Sequence, residues 1–248
     1  FFYEVCPLRA QTHNQKPPKS TAHSKIMLNF FFPPPTERTA EVIAAETVTQ
    51  SFMNTACFVE MFRGTDVTRR EPMEFIFYRN LLMMKNRCPQ YLHYHFSEDG
   101  SKLECFFMLV PNFDAHFTLY EKVINGGIPE FILRFGFTSI ARLVKCSDWM
   151  DAFEAETMVG RPRYYVLQRM IVEKSLQGKG IGSKYLNEAL KKADQEQLPV
   201  FLGTHEMRNV TFYTRLGFVL KNEKTYVCAD DPSYNYPTYV MIREPKAV

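Results

Sequence analysis

Apolar residues recur at intervals of three to five between Thr36 and Arg63. Val42, Ala45, Val48, Phe52, Cys57 and Met61 mark one side of a helix that Thr36 or Thr39 can cap. Glu71 to Arg87 predicts a second helix, stopped by Pro89. The period then shortens. Tyr91–Phe96 and Leu103–Val110 are strand-like runs on either side of Ser97-Glu98-Asp99-Gly100-Ser101, which predicts a β-hairpin. Helical spacing returns in a Phe-rich stretch, residues 113–158. Phe117, Tyr120, Val123 and Ile124 form one set; Phe131, Phe135, Ile140, Leu143 and Val144 form another, broken at Gly136 and continued by Trp149 and Phe153. Such a helical pair packs on the sheet of its own domain, roofs a binding site or faces a partner. Tyr164–Val172 and Leu198–Thr204 are strand-like, and Ser183–Gln195 between them is helical. A two-turn helix follows, with Asn209 as N-cap and Gly217 as stop, tied to a strand from Phe218.

Composition narrows the classes of function. A length of 248 residues and 46% hydrophobic content suit one sizeable core, or a core with an appendage. The 22 Phe and 13 Tyr fit a twisted sheet packed under helices, and also an apolar acceptor cleft. A net charge of +3, without a Lys/Arg stripe or aromatic-basic interleaving, argues against a nucleic-acid partner. No apolar stretch approaches the ~20 residues needed to span a bilayer. Cys6, Cys57, Cys88, Cys105, Cys146 and Cys228 are scattered, without zinc spacing, and read as buried thiols in a reducing compartment. His93-x-His95 lacks a third ligand, so no metal site is expected. Residues 1–35 hold Pro, Lys, His and Ser with Glu4 as the single acid. They read as a flexible or partner-docking arm, or as the remnant of an organellar targeting segment on a chain that begins with Phe. The compartment expected is cytoplasmic, with a mitochondrial or other organellar one as the alternative.

The richest chemistry lies in Gln177-Gly178-Lys179-Gly180-Ile181-Gly182, between a strand and a helix start. Glycines let a backbone approach a ligand, and a helix N-terminus offers unpaired N–H groups and a favourable dipole to an anion. The run predicts binding of a pyrophosphate-bearing molecule, or a plain strand-to-helix turn. Two better-known phosphate loops do not fit. The glycines alternate strictly, unlike a dinucleotide fingerprint, and Ser183 precedes Lys184, unlike a P-loop.

With the block Asn209…Phe212-Tyr213…Leu216-Gly217-Phe218, the glycine run resembles the GNAT superfamily of acyl-CoA-dependent N-acetyltransferases. That family carries Gln/Arg-x-x-Gly-x-Gly/Ala after its fourth strand and an Asn…Tyr…Gly-Phe block after its fifth. Further likeness, to a subgroup with a helical insert before the fourth strand, rests on Ala193-Asp194, Pro199 and Met241-Ile242-Arg243-Glu244-Pro245. The resemblance implies an α/β (α+β) fold over residues 36–248, with 113–158 as the insert. Its central mixed, twisted sheet opens between the family's fourth and fifth strands and is flanked by helices. It implies acetyl-CoA as cofactor, held by backbone groups of Met170, Ile171 and Val172, by the turn Gln177, Gly178, Lys179, Gly180, Ile181, Gly182 and Ser183, and by Asn209 and Phe212. Tyr213 corresponds to the family's tyrosine beside the thioester sulfur. For the base, Glu206, His205, Glu173 or a water chain all stay open, with Glu206 the one named beside Tyr213 as catalytic.

Three departures touch proton handling. The subgroup's His-Trp-Tyr-Leu is Arg163-Tyr164-Tyr165-Val166, a helical His is Phe153, and Leu-Glu-Thr is Leu202-Gly203-Thr204. The expected activity is direct acetyl transfer to the primary amine of a small molecule. The alternative is a non-catalytic GNAT-fold subunit of a larger assembly, and a protein-acetylating enzyme is a further reading. A homodimer or larger assembly stays open. Asp230-Asp231, Tyr234, Tyr236 and Tyr239 lie where they can face a cationic amine, or form a solvated turn.

Overall fold

The computed structural model describes residues 37–114 and 117–247; the predicted arm, residues 1–35, lies outside them. The helix expected over 36–63 is two helices, α1 (Ala40–Phe52) and α2 (Ala56–Met61). They part at Met53-Asn54-Thr55, where Thr55 N–H donates to the Phe52 carbonyl at 3.0 Å. Buried Arg69 holds the break. Its guanidinium donates to the Met53 carbonyl at 2.5 Å and to the Gly64 carbonyl at 2.9 Å. A carbonyl at a helix end has no partner in its own helix, and a buried one costs free energy unless something donates to it. Arg69 belongs to α3 (Asp66–Arg87), which begins five residues before the expected Glu71. Thr65 and Thr68 form a reciprocal capping box there, so Pro72 sits inside the helix rather than at its start.

The hairpin is present as β1 (Leu92–Phe96) and β2 (Leu103–Pro111), antiparallel. In the insert, a short π turn (Glu121–Asn125) leads to α4 (Ile128–Phe135) and α5 (Phe137–Thr157), which meet at Gly136 as expected. Then come β3 (Tyr165–Val172), α6 (Ile181–Gln195), β4 (Val200–Thr204), α7 (Met207–Thr214), β5 (Val219–Tyr226) and β6 (Tyr236–Arg243). The sheet order is β1-β2-β3-β4-β6-β5; β3 and β4 run parallel and every other pair antiparallel.

Alternation along the strands separates the layers. Cys105, Phe107 and Leu109 of β2, Tyr165 and Leu167 of β3, and Val200 and Leu202 of β4 pack under Leu186 and Leu190 of α6 and Val210 and Tyr213 of α7. The opposite residues Phe106, Met108 and Ile171 pack against α1, α3 and α4 through Val48, Met73, Phe77 and Phe131. Phe153 joins Val166, Phe201 and Ile242 under α5. Helices thus cover both faces of a mixed sheet, and the insert packs on its own domain. Asp194 and Arg243, two of the residues that carried the subgroup likeness, form a two-pronged ion pair with both N···O distances at 2.7 Å. That pair ties the end of α6 to β6.

Candidate active site

β3 and β4 are registered at only two positions, Tyr165 with Val200 and Val166 with Phe201, and part beyond them. A bulge reinforces the parting. Phe106 and Met108 of β2 face Ile171 and Gln168, so β3 carries one residue more over that span, and Arg169 there has φ +52°. A bulge leaves an extra residue outside the ladder and bends the strand. The gap opens into a cleft of about 540 Å³ that runs from the glycine turn across β3 and β4 to α1, α2 and α5. This opening corresponds to the one expected between the family's fourth and fifth strands, which are the third and fourth here.

One end of the cleft is a turn that fits a pyrophosphate. Gln177 Nε2 donates to the Val172 carbonyl at 3.0 Å and folds the turn back onto β3. Gly178 and Gly180 have φ of +78° and +81°, a region costly for residues with a Cβ, and no atom lies within 4 Å of where a Cβ would stand. The amides of Gly180, Ile181, Gly182 and Ser183 open α6 and donate to no backbone carbonyl among the described residues, the condition in which a helix start accepts an anion. Gly182 differs from the other two. It is buried, and a Cβ there would stand 2.8 Å from Val172 Cγ2 and 3.0 Å from Met170 Cε, so only glycine lets α6 meet the end of β3 this closely.

The sequence-predicted residues gather here with one exception. Met170, Ile171, Val172, Gln177, Gly178, Gly180, Ile181, Gly182, Ser183, Asn209 and Phe212 line the cleft, as do Tyr213 and Glu206. Lys179 does not: its N–H closes the turn on the Leu176 carbonyl at 3.3 Å and its side chain is exposed. Asn209 is not the N-cap. Glu206 is, and Asn209 lies in the first turn of α7, where its Nδ2 donates to Thr204 Oγ1 at 3.0 Å across the β4–α7 junction. Tyr213 is buried between Phe212 and Phe218, its ring 5.0 and 5.6 Å from theirs, and burial pushes its phenol well above the ordinary value.

The candidate bases separate. Glu206 lines the cleft and pairs with Arg208. His205 also lines it, with Nδ1 3.0 Å from Thr238 Oγ1. Burial pushes this imidazole down to about 4, with the Pro237 carbonyl pulling the other way. Glu173 is not a lining residue; its carboxylate accepts from Ser175 N–H at 2.7 Å and caps the turn after β3. Asp230 and Asp231 are occupied elsewhere, Asp230 by Arg63 at 2.8 Å and Asp231 by Ser233 N–H at 2.9 Å. Glu60, Cys228 and Asp230 come together closely enough to share a cation, but the guanidinium of Arg63 bonds all three and supplies that charge itself. Of the tyrosines, Tyr236 reaches the cleft, Tyr239 is in the core and Tyr234 lies under Arg63. The described cysteines, Cys57, Cys88, Cys105, Cys146 and Cys228, are buried thiols.

Residues that sequence reasoning passed over complete the lining. Arg208 and Arg215, seven apart and both exposed, add positive charge along α7, a helical spacing visible in the sequence. Ser51, Phe52, Thr55 and Phe58 arrive through the unforeseen break between α1 and α2, and Ser147 and Met150 come from α5.

Residues 142–220 match a family described as acetyltransferase (GNAT) domain. No curated protein matches the chain. Among solved structures, one described as histone acetyltransferase HPA2 and related acetyltransferase, from Corynebacterium glutamicum, superposes with a TM-score of 0.53 at 16% identity. The match covers 87% of this chain and 96% of that one. A polyamine N-acetyltransferase of Drosophila melanogaster that forms N-acetylagmatine gives 0.51 at 13% identity, over 84% and 98%. The fold is that of the GNAT acetyltransferases, and the stretch that matches the GNAT acetyltransferase domain, residues 142–220, holds β3, the glycine turn, β4 and α7.

Proposed function

We propose that this GNAT domain acetylates the primary amine of a small molecule by direct transfer, without an acetylated side chain. The observation that carries the reading is the juxtaposition, in one cleft, of the bare amides that open α6 with the buried phenol of Tyr213. Acetyl-CoA supplies an activated acyl group as a thioester; the rest falls to this chain. The turn Gln177–Ser183, without the side chain of Lys179, holds the pyrophosphate with backbone N–H groups, and Arg208 and Arg215 add attraction. The parted end of β3, Met170 to Val172, offers backbone groups to the pantetheine arm, with Asn209 and Phe212 opposite. A backbone N–H near Val172 donates to the oxyanion formed as the amine attacks. Tyr213, kept protonated by its burial, donates to the sulfur as negative charge develops there. Glu206 takes the proton from the amine, through water where the distance requires it. His205, neutral above about pH 4, orients Thr238 and the mouth rather than titrating in the working range.

Calorimetric titration with acetyl-CoA, followed by thiol release over a panel of amines and peptides, tests the reading. Saturable binding with turnover of free amines above peptides supports it. Binding without turnover of any amine, or faster turnover of peptide N-termini, sinks the small-molecule assignment. Absence of acetyl-CoA binding sinks the cradle as well.

A further inference from the structure

The half of the cleft away from the glycine turn has its own chemistry. Its walls are Phe52 and Phe58 at the α1–α2 elbow, Cys57 and Met61 of α2, Cys146 and Met150 of α5, and Tyr236 at the start of β6. Ser51, Thr55 and Ser147 supply its neutral hydroxyls. The aromatic rings are already organised. Phe52 stacks on Phe58 at 5.5 Å, Phe58 meets Phe77 edge-on at 5.3 Å, and Tyr236 stacks on Tyr226 at 4.9 Å while His205 meets it edge-on at 5.0 Å. Rings held in this way present faces and edges to a further ring with little loss of side-chain freedom.

Charge points the same way. Among the lining residues the single carboxylate is Glu206, at the α7 end and paired with Arg208. Asp230 and Glu60, behind α2, are not among the lining residues, and both are ion-paired with Arg63. The lining holds a cation in Arg169, which burial pushes down to about 9 and which is therefore still charged at neutral pH. A second ammonium or guanidinium on the acceptor would lose its hydration here and gain no carboxylate in return.

We infer that the acceptor is a primary amine carried on an uncharged aromatic body, and that amines bearing a second cationic group are rejected. This rests on the acetyl-transfer reading above, and it parts company with the acceptor named for the Drosophila structure, which carries a guanidinium. The aromatic body lies between the Phe52–Phe58 pair and Tyr236, which directs its amine toward the parted ends of β3 and β4.

The experiment compares 2-phenylethylamine with agmatine and spermidine, by thiol release with acetyl-CoA and by calorimetric titration in the presence of CoA. Expected is a kcat/KM for 2-phenylethylamine at least about tenfold above either polycation, the scale on which a pocket separates acceptors by complementary contacts. Equal or better turnover of agmatine or spermidine overturns the inference while leaving acetyl transfer intact. Tighter binding of 2-phenylethylamine without turnover of any amine leaves the binding preference of this half standing but removes the transfer reading, and with it the inference that the bound amine is an acceptor. No binding of 2-phenylethylamine removes the inference whatever else turns over.

A substitution makes the test sharper. Thr55 is the N-cap of α2, makes no side-chain capping bond, and occupies a position that aspartate favours, so Thr55→Asp is compatible with the fold. It places a carboxylate in the acceptor half. The preference for 2-phenylethylamine over agmatine is expected to fall by about tenfold, with the affinity for acetyl-CoA unchanged. An unaltered ratio in a variant that still binds acetyl-CoA counts against this half of the cleft as the acceptor site.

Discussion

Gly182→Ala is the substitution whose consequence can be followed furthest from the structure. The new Cβ would stand 2.8 Å from Val172 Cγ2, 3.0 Å from Met170 Cε and 3.6 Å from Phe212 Cζ. The Met170 contact is with the end of a flexible chain and relaxes readily. Val172 is β-branched and stiff, so relief requires β3 to move away from α6 by several tenths of an ångström. Overpacking of this kind costs about 1–3 kcal/mol. Alanine in place of glycine within a helix returns about 1 kcal/mol. The net loss of stability is therefore about 0–2 kcal/mol, which for a chain of this length lowers Tm by at most about 8 °C. The larger effect falls on ligand binding, because Val172 and the first amides of α6 are the two sides of the proposed cradle. If about 1.4 kcal/mol of the strain is relieved by displacing them, acetyl-CoA binds about tenfold more weakly. Calorimetric titration together with a thermal melt separates the two effects. An acetyl-CoA Kd within twofold of wild type in a folded variant would refute the argument that this close approach serves the cofactor.

Three further outcomes are expected. Tyr213→Phe keeps the buried ring and removes the donor, so kcat should fall about 100-fold with KM for acetyl-CoA nearly unchanged; a kcat within threefold of wild type would take Tyr213 out of the chemistry. Arg243→Ala leaves Asp194 without the guanidinium that holds its carboxyl below the ordinary range, and should cost about 3 kcal/mol or more by denaturant melt at neutral pH. Because that carboxylate's contribution is present above its unfolded value near ~4 and lost as pH falls through the lower folded one, the gap between variant and wild type should narrow in acid. His205 and His93 are both pushed down to about 4 by burial, so the folded chain binds fewer protons than the unfolded one between that pH and their ordinary 6.5. Stability should therefore drop as pH is lowered through this window, and His205→Gln should flatten the drop without abolishing it, since His93, His95 and the paired carboxylates still contribute; an equally steep acid limb in the variant would contradict the burial of His205 as a neutral ring.

The parts of the site that were legible in the sequence are those that a single local segment builds. The glycine turn, the strand before it and the helix after it are contiguous, and their backbone demands leave a mark in residue choice: Gly178 and Gly180 for conformation, Gly182 for contact. Asn209 reads as a cap in the sequence because its side chain is a better capping group than that of Glu206; in the fold it is engaged with Thr204, a tertiary partner that outweighs local preference. The break after Phe52 was invisible for a related reason. Met53 continues an apolar helical pattern, and what stabilises the interruption is Arg69, sixteen residues away on another helix. Since that break carries Phe52, Thr55 and Phe58 into the cleft, the acceptor half was hidden along with it. Its walls come from α1, α2, α5 and β6, which no window along the chain places together.

β3 joins the two halves. On one side its terminal residues Met170 and Val172 lie against Gly182, and on the other Ile171 packs into the core shared with α1 and α3. The bulge at Arg169 lies between these roles. It parts β3 from β4, and it sends the guanidinium toward Asn80 and the Phe77 ring, whose centroid is 5.1 Å away. Phe77 in turn meets Phe58, a wall of the acceptor half. The bulge that parts β3 from β4 is thus wedged against the aromatic cluster of the proposed acceptor site, so a change at either end must move the same strand. A perturbation that shifts Val172 should therefore weaken the amine as well as acetyl-CoA, whereas one confined to the exposed cations of α7 has no such route to the acceptor half.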